Sequence, residues 1–344
     1  MSGRGQRIPV LVLTGFLGSG KTTLLSGMLG DPEMGKAAVL VNELGEIALD
    51  HDLLRHVGER TVVLPNGCLC CTLRDDLSES LRELLDLSER GEIEPLERVV
   101  VETTGLAEPA PILNTMLADP IVSAHFRPEA VVTTVDAQSG SHSLHRHPES
   151  VKQAGAADRL VVTKADLAGD EAVAGLRSEL RRINPGAPVL RAVLGDVTLA
   201  DLLPPSGASA GAPEEVERWL AAMDVHAAAE AHPHGDEAHV HHGDVVARAM
   251  LFERPLDWTA FGVWLTMLLA DRGEDVLRVK GLLDVGGPGP VVVNGVQHVV
   301  HPPQHLAAWP GDDHRSRVVF VTRGIDHDAV EASLAAFQRA AESL

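Results

Sequence analysis

An apolar run, Val10-Leu11-Val12-Leu13, passes into Gly15-Phe16-Leu17-Gly18-Ser19-Gly20-Lys21-Thr22 and then Thr23-Leu24-Leu25. Strand, glycine loop and helix is the order a phosphate-binding loop requires, and the spacing fits G-x-x-x-x-G-K-[ST] at every fixed position. Gly15, Gly18, Ser19 and Gly20 form a loop whose backbone N–H groups close round a phosphate, and the helix start adds positive potential. Lys21 is placed to reach the β and γ phosphates, and the Thr22 hydroxyl to bind Mg²⁺. Such a loop implies a nucleoside triphosphate held at one edge of an α/β sheet.

The 344 residues suffice for one large domain and a smaller one. Apolar residues make up 44% and aromatics 3%, with no tyrosine, so the core must be built from Val, Leu, Ala and Ile. A net charge of −20 argues against a nucleic-acid backbone as partner. No window approaches the ~20 uninterrupted apolar residues of a membrane span. Arg4 and Arg7 before an apolar run mimic a signal peptide, but that run is the strand feeding the phosphate loop, and cleavage would destroy the site. The expectation is a soluble cytoplasmic protein.

Further strands are expected at Ala37–Val41, Thr61–Leu64, within Arg98–Gly105, at 130–136, Arg159–Val162 and Val189–Ala192, with helices at 21–30 and 73–90. Alternation of this kind predicts a doubly wound, mostly parallel sheet of about six or seven strands. Its polar strand ends become site candidates. Asn42-Glu43-Leu44-Gly45-Glu46 follows the second strand. Glu102 ends an apolar strand, where a carboxylate should face Mg²⁺ or its waters, and Gly105 can offer its N–H to the γ phosphate. Pro109 and Pro111 mark a loop able to move between nucleotide states. Thr163-Lys164-Ala165-Asp166 follows another strand, and the Asp166 carboxylate can accept both guanine N1–H and the exocyclic amine, a donor pair that adenine lacks.

All three cysteines, Cys68, Cys70 and Cys71, lie within four residues after Asn66-Gly67. Neighbours that close cannot staple a fold, and the pattern suits reduced thiols. Converging thiolates bind a borderline metal such as Zn²⁺ at ~2.3 Å per bond. Buried small side chains or a redox pair are the other readings, the latter without C-x-x-C spacing. After Pro204-Pro205-Ser206-Gly207 come His226, His232, His234, His239, His241 and His242 within 17 residues. That tract is either an auxiliary metal site for Zn²⁺, Co²⁺, Ni²⁺ or Cu²⁺, or a solvated linker. From Val245 an α+β unit is expected, with strands at 245–252, 276–284, 290–294, 296–300 and 317–322 and helices at 257–270 and 327–340. The domain reading is 1–204, a linker at 205–244, and 245–344.

Together these motifs resemble the CobW-like branch of the G3E P-loop GTPases, the metallochaperone or metalloprotein-activator group. The resemblance rests on Gly15 to Thr23, Asn42 to Glu46, Asn66 to Cys71, Glu102-Thr103-Thr104-Gly105-Leu106-Ala107, Thr163 to Asp166, Val279-Lys280-Gly281 and Gly295-Val296-Gln297-His298. It implies a GTPase, with Mg²⁺, that binds zinc or a related ion such as Co²⁺ at the cysteines and transfers it to a client metalloprotein. By the same resemblance Glu102 replaces the usual aspartate, and Glu46 becomes a candidate metal or Mg²⁺-shell residue beside the cysteines. Two positions depart from the pattern: Thr163 stands where many members have Asn, and Val41 where some carry a metal-binding Glu. Threonine cannot supply an amide to guanine N7. A zinc buffer with a structural nucleotide, or an ATPase, are the competing readings, and a homo-oligomer is compatible with all of them.

Overall fold

Val10, Leu11, Val12 and Leu13 are fully buried, which requires cover on both faces of their strand. The computed structural model describes residues 7–42, 61–66, 73–203, 222 and 245–343, with side chains at 7–41, 77–203, 222 and 245–343. The described residues fall into two compact units, Met1–Leu180 with Ala187–Ser206 and Arg181–Gly186 with Gly207–Leu344.

In the first unit β1 (Ile8–Gly15), β2 (Ala37–Asn42), β3 (Thr61–Asn66), β4 (Arg98–Glu102), β5 (Phe126–Asp136), β6 (Arg159–Thr163) and β7 (Val189–Arg191) form one sheet. Its order is β3-β2-β4-β1-β5-β6-β7, and every pairing is parallel. The strands are joined through α1 (Lys21–Leu29), α2 (Leu73–Glu89), α3 (Pro109–Ala118), α4 (Pro120–His125), α5 (Gly140–Arg146), α6 (Pro148–Ala156) and α7 (Asp170–Ile183), and α8 (Leu199–Leu202) follows β7. Leu24, Leu25 and Met28 of α1 pack with Leu11, Val39, Val100 and Val132 of the sheet. The chain leaves β1 toward β2 and β3, returns to β4, then crosses to β5 on the other flank. That reversal opens a crevice at the C-terminal strand ends beside β1, where doubly wound folds bind ligands.

The second unit is antiparallel. β8 (Val245–Phe252), β9 (Val276–Leu283), β10 (Val291–Val296), β11 (Val299–Val300) and β13 (Ser316–Arg323) run in the order β11-β10-β9-β13-β8, with β12 (Gln304–His305) on β10. α9 (Trp258–Arg272) and α10 (His327–Glu342) supply Phe261, Trp264, Leu265, Val330 and Leu334 to a core shared with Val279, Val291, Val318 and Phe320. The Trp264 ring meets Phe320 edge-on at 5.8 Å and donates its N–H to Ser333 Oγ at 2.8 Å. Asp257 and Asp326 cap the two helices, accepting from Ala260 N at 2.7 Å and from Asp328 N at 3.0 Å.

Four local differences from the sequence expectations have physical causes. β5 begins at Phe126 rather than 130: Pro128 pairs with Val10, and a register shift between Val10 and Leu11 passes over Glu129 before pairing resumes at Ala130. The shift leaves Glu129 to receive two bonds from Arg98, at 2.8 and 3.3 Å. The strand expected at 296–300 is broken by a tight turn at Gln297 and His298, with Gln297 at φ 51°, so Val296 pairs back onto Val299. Pro109 and Pro111 lie in the first turn of α3 rather than in a loop, where the missing N–H costs nothing. α3 to α8 have no counterpart among the expected helices; of these α7 carries acidic residues at its start and basic ones at its end, which complement its dipole. Among the described residues no helix is long and apolar enough to cross a membrane.

Replacing Phe320 by Ala should cost the second unit about 3–5 kcal/mol, and Asp326→Ala about 1 kcal/mol. Urea unfolding followed by tryptophan fluorescence measures both, and equal effects would contradict the core described above.

Candidate nucleotide site

Gly15 ends β1 at φ 143°, a conformation that glycine tolerates and that turns the chain sharply off the sheet. A Cβ there would fall on the Thr134 hydroxyl and 2.5 Å from the Thr134 carbonyl, so the loop can start only with glycine. Gly18 and Gly20 are also at positive φ, 69° and 88°. The loop closes with Ser19 N donating to Phe16 O at 3.1 Å, and α1 begins at once with Lys21. Lys21 Nζ reaches back across the loop to Gly15 O at 3.0 Å and Phe16 O at 3.3 Å. Its ammonium therefore lies over the same backbone that a phosphate would enter.

Parallel register delivers the next group. Glu102, only 5% exposed, pairs through its Cα with Leu13 on one side and Val41 on the other. Thr22 Oγ1, at the start of α1, donates to Glu102 Oε1 at 2.9 Å. A hydroxyl and a carboxylate brought together beside a phosphate loop are hard oxygen donors, the set that suits Mg²⁺, and the site fits that ion. A Cβ on Gly105 would stand 2.6 Å from Leu17 N, so the segment after β4 lies directly on the phosphate loop. Val41 is a buried apolar side chain and cannot ligate a metal.

The end of β6 braces the loop from the opposite flank. Thr163 Oγ1 donates to Ser19 O at 2.6 Å. Lys164, at φ 52°, donates from Nζ to Gly18 O at 2.7 Å and to Asp136 Oδ2 at 2.8 Å. Ser19 Oγ lies 2.7 Å from Thr134 Oγ1. Burial alone would raise the Asp136 carboxyl, but the Lys164 ammonium and the Gln138 N–H outweigh it and hold the group below the usual carboxylate range. Asp166 is exposed past this brace, and Thr23 is exposed on α1. The segment after β7 runs beside α1: a Cβ on Gly195 would stand 2.7 Å from Thr23 O.

The structure thus gathers Gly15, Gly18, Ser19, Gly20, Lys21, Thr22, Thr23, Glu102, Gly105, Thr163, Lys164 and Asp166 at one sheet edge. Glu46, Cys68, Cys70, Cys71, His232, His234, His239, His241 and His242 lie outside the described residues. Among the described residues no three of His, Cys, Asp and Glu form a metal-holding group. Sequence reasoning passed over Asp136 and Thr134. Asp136 carried the same signal as Glu102, an acid closing an apolar strand.

Such a loop on such a sheet defines a P-loop nucleotide-binding protein. The chain belongs to the CobW/HypB/UreG family, matching its nucleotide-binding domain over residues 9–191 and the cobalamin synthesis protein cobW C-terminal domain over 245–338. It is 30% identical to the zinc chaperone YjiA of Escherichia coli (strain K12) over 333 residues, 96% of this chain and 99% of that protein. Identity to the zinc chaperone CobW of Pseudomonas aeruginosa is 32%, over 95% of this chain and 91% of the other. The crystal structure of Zn(II)-bound YjiA GTPase from E. coli shares the fold at a TM-score of 0.67, with 24% identity, covering 97% of this chain and 99% of that one.

Thr163→Val keeps the shape and removes the bond to Ser19, and should weaken guanine-nucleotide binding about five- to tenfold in a calorimetric titration. Asp136 also predicts a pH dependence. Its folded pKa lies below its unfolded value, so acid protonates the unfolded chain first. The Asp136–Lys164 pair therefore contributes stability above about pH 4 that is lost as pH falls further. The difference in thermal midpoint between the natural chain and Asp136→Asn should be full at neutral pH and shrink below that range.

Proposed function

We propose that this protein is a GTP-hydrolysing zinc chaperone that delivers its ion to a client metalloprotein. The supporting observation is the Thr22–Glu102 hydrogen bond of 2.9 Å beside the phosphate loop. It occurs in a chain 30% identical over 96% of its length to a protein named as a zinc chaperone.

In this reading residues 1–204 are the GTPase domain, 205–244 a histidine-rich linker and 245–344 a CobW-type domain. The Gly15–Gly20 loop and Lys21 hold the phosphates, exchanging the Lys21 bonds to Gly15 and Phe16 for bonds to phosphate oxygens. Thr22 and Glu102 hold Mg²⁺, which supplies charge neutralisation on the phosphates. Gly105 presents its N–H to the terminal phosphate. Asp166 selects guanine, Lys164 borders the base, and Thr163 braces the loop in place of an amide that would read N7. Hydrolysis is slow in isolation, because no arginine finger is among these motifs.

Cys68, Cys70 and Cys71 carry the zinc, with Glu46 beside them, and His232, His234, His239, His241 and His242 form a weaker reserve. GTP orders the 43–50 segment and engages the already anchored 102–108 segment, which changes the geometry at the cysteines, and hydrolysis releases the ion. Three closely spaced reduced thiols suit a cytoplasmic setting.

Zinc affinity measured with and without a non-hydrolysable GTP analogue tests this reading. Alanine at all three cysteines should abolish the high-affinity, GTP-dependent site, while deletion of 226–242 should spare it. A deletion that removes most zinc capacity would instead indicate a buffer, and equal GTP and ATP affinities would remove the role given to Asp166. Thr22→Ala should lower Mg²⁺-dependent hydrolysis about a hundredfold, followed by phosphate release.

A further inference from the structure

Gln153, on α6, is fully buried, and its amide lies under the segment that follows β4. Nε2 donates to Gly105 O at 3.1 Å and to Ala107 O at 3.0 Å. Both partners are carbonyls, so only the NH₂ end of the amide can face them, and both of its protons are used. The backbone beneath is tied down as well, since Thr133 Oγ1 donates to Gln153 O at 2.9 Å.

The same helix holds the neighbouring parts of the site. His147, its N-cap, stacks on Phe16 of the phosphate loop at 4.4 Å and 26°. Lys152 Nζ donates to Glu108 Oε1 at 2.7 Å. α6 thus touches the phosphate loop through one side chain and the 105–108 segment through two.

The other half of the amide is poised differently. Among the described residues Gln153 Oε1 and Ser150 Oγ are buried with no hydrogen-bond partner. Both residues line a small pocket with Phe16, Leu17, Thr133 and Asp136. A buried amide oxygen left unpaired is costly, and such groups are retained where a backbone needs holding or a water is bound. Here the cost is offset by two bonds to the segment that lies against Leu17.

We propose that Gln153 is a positioning residue for GTP hydrolysis, holding Gly105 and Ala107 so that the Gly105 N–H meets the terminal phosphate. The proposal rests on the reading that the Glu102–Gly105 segment takes part in hydrolysis. Gln153 touches neither nucleotide nor metal and acts through the backbone it bonds. Its loss therefore separates the chemical step from binding of the diphosphate, which depends on the Gly15–Gly20 loop and the Thr163–Asp166 segment.

The experiment uses the full chain with Gln153→Met, which keeps length and burial but has no N–H, and Gln153→Glu, which turns acceptor oxygens on two carbonyls. Single-turnover GTP hydrolysis should fall about tenfold in the Met variant and further in the Glu variant. GDP affinity should stay within about twofold of the natural chain. Hydrogen exchange at the 105–107 amides should accelerate in both. Unchanged hydrolysis in a Met variant with natural circular dichroism and thermal midpoint overturns the proposal. So does a proportional loss of hydrolysis and GDP affinity, which would mark Gln153 as scaffold only. Glu102→Gln separates the underlying reading: if it hydrolyses GTP normally with Mg²⁺, the segment has no role and the proposal falls with it. If it is inactive while Gln153→Met is normal, only the role of Gln153 fails.

Discussion

Leu13 pairs with Glu102 on one flank of β1, and Gly15 pairs with Thr134 on the other. The nucleotide edge depends on that parallel register. A slip of one residue on the β4 side would turn Glu102 to the opposite face of the sheet. Thr22 Oγ1 could then no longer reach its carboxylate, and the oxygen pair suited to Mg²⁺ would not exist. The register is held by burial on both faces, since Val10 to Leu13 and Val99 to Val100 are all at zero exposure. It is pinned at the N-terminal end by the paired bonds from Arg98 to Glu129 across β1.

Around the phosphate loop the polar contacts are made by small hydroxyls. Thr14, Ser19, Thr103, Thr134 and Thr163 are each no more than 6% exposed. They bond to one another or to nearby carbonyls: Thr103 to Thr14 at 2.9 Å, Thr134 to Thr14 O at 3.3 Å, Thr163 to Ser19 O at 2.6 Å. Side chains of this size allow the backbone approaches that Gly15 and Gly105 require. Satisfied internally, they hold the loop without placing another charge near the incoming phosphates. The cations that do approach, Lys21 and Lys164, are oriented by loop carbonyls and by Asp136.

Much of this was legible from residue order. The loop motif, the acid closing an apolar strand and the Asp257 and Asp326 helix starts are local signals, and each has a local cause in backbone or capping chemistry. Pro109 read as loop because proline signals a break, whereas at the first turn of α3 it is tolerated. The run 296–300 read as continuous strand because its valines do, and only pairing of Val296 with Val299 reveals the turn between them. Gln153 gave no signal at all. A glutamine in a short helix is unremarkable until the fold brings two carbonyls from far along the chain to its amide.

Residue order is enough for a phosphate loop after the first strand, a parallel α/β sheet, and thiols and imidazoles clustered elsewhere in the chain. Those follow from spacing and composition, which act over a few residues. Which strand ends meet, the facing of Thr22 and Glu102, the brace of Thr163 on Ser19, and the support that α6 gives both the loop and the segment beyond β4 emerge only when the chain is folded. Strand order and register set these meetings, and both come from burying one sheet on two faces, a condition met only by the whole chain at once.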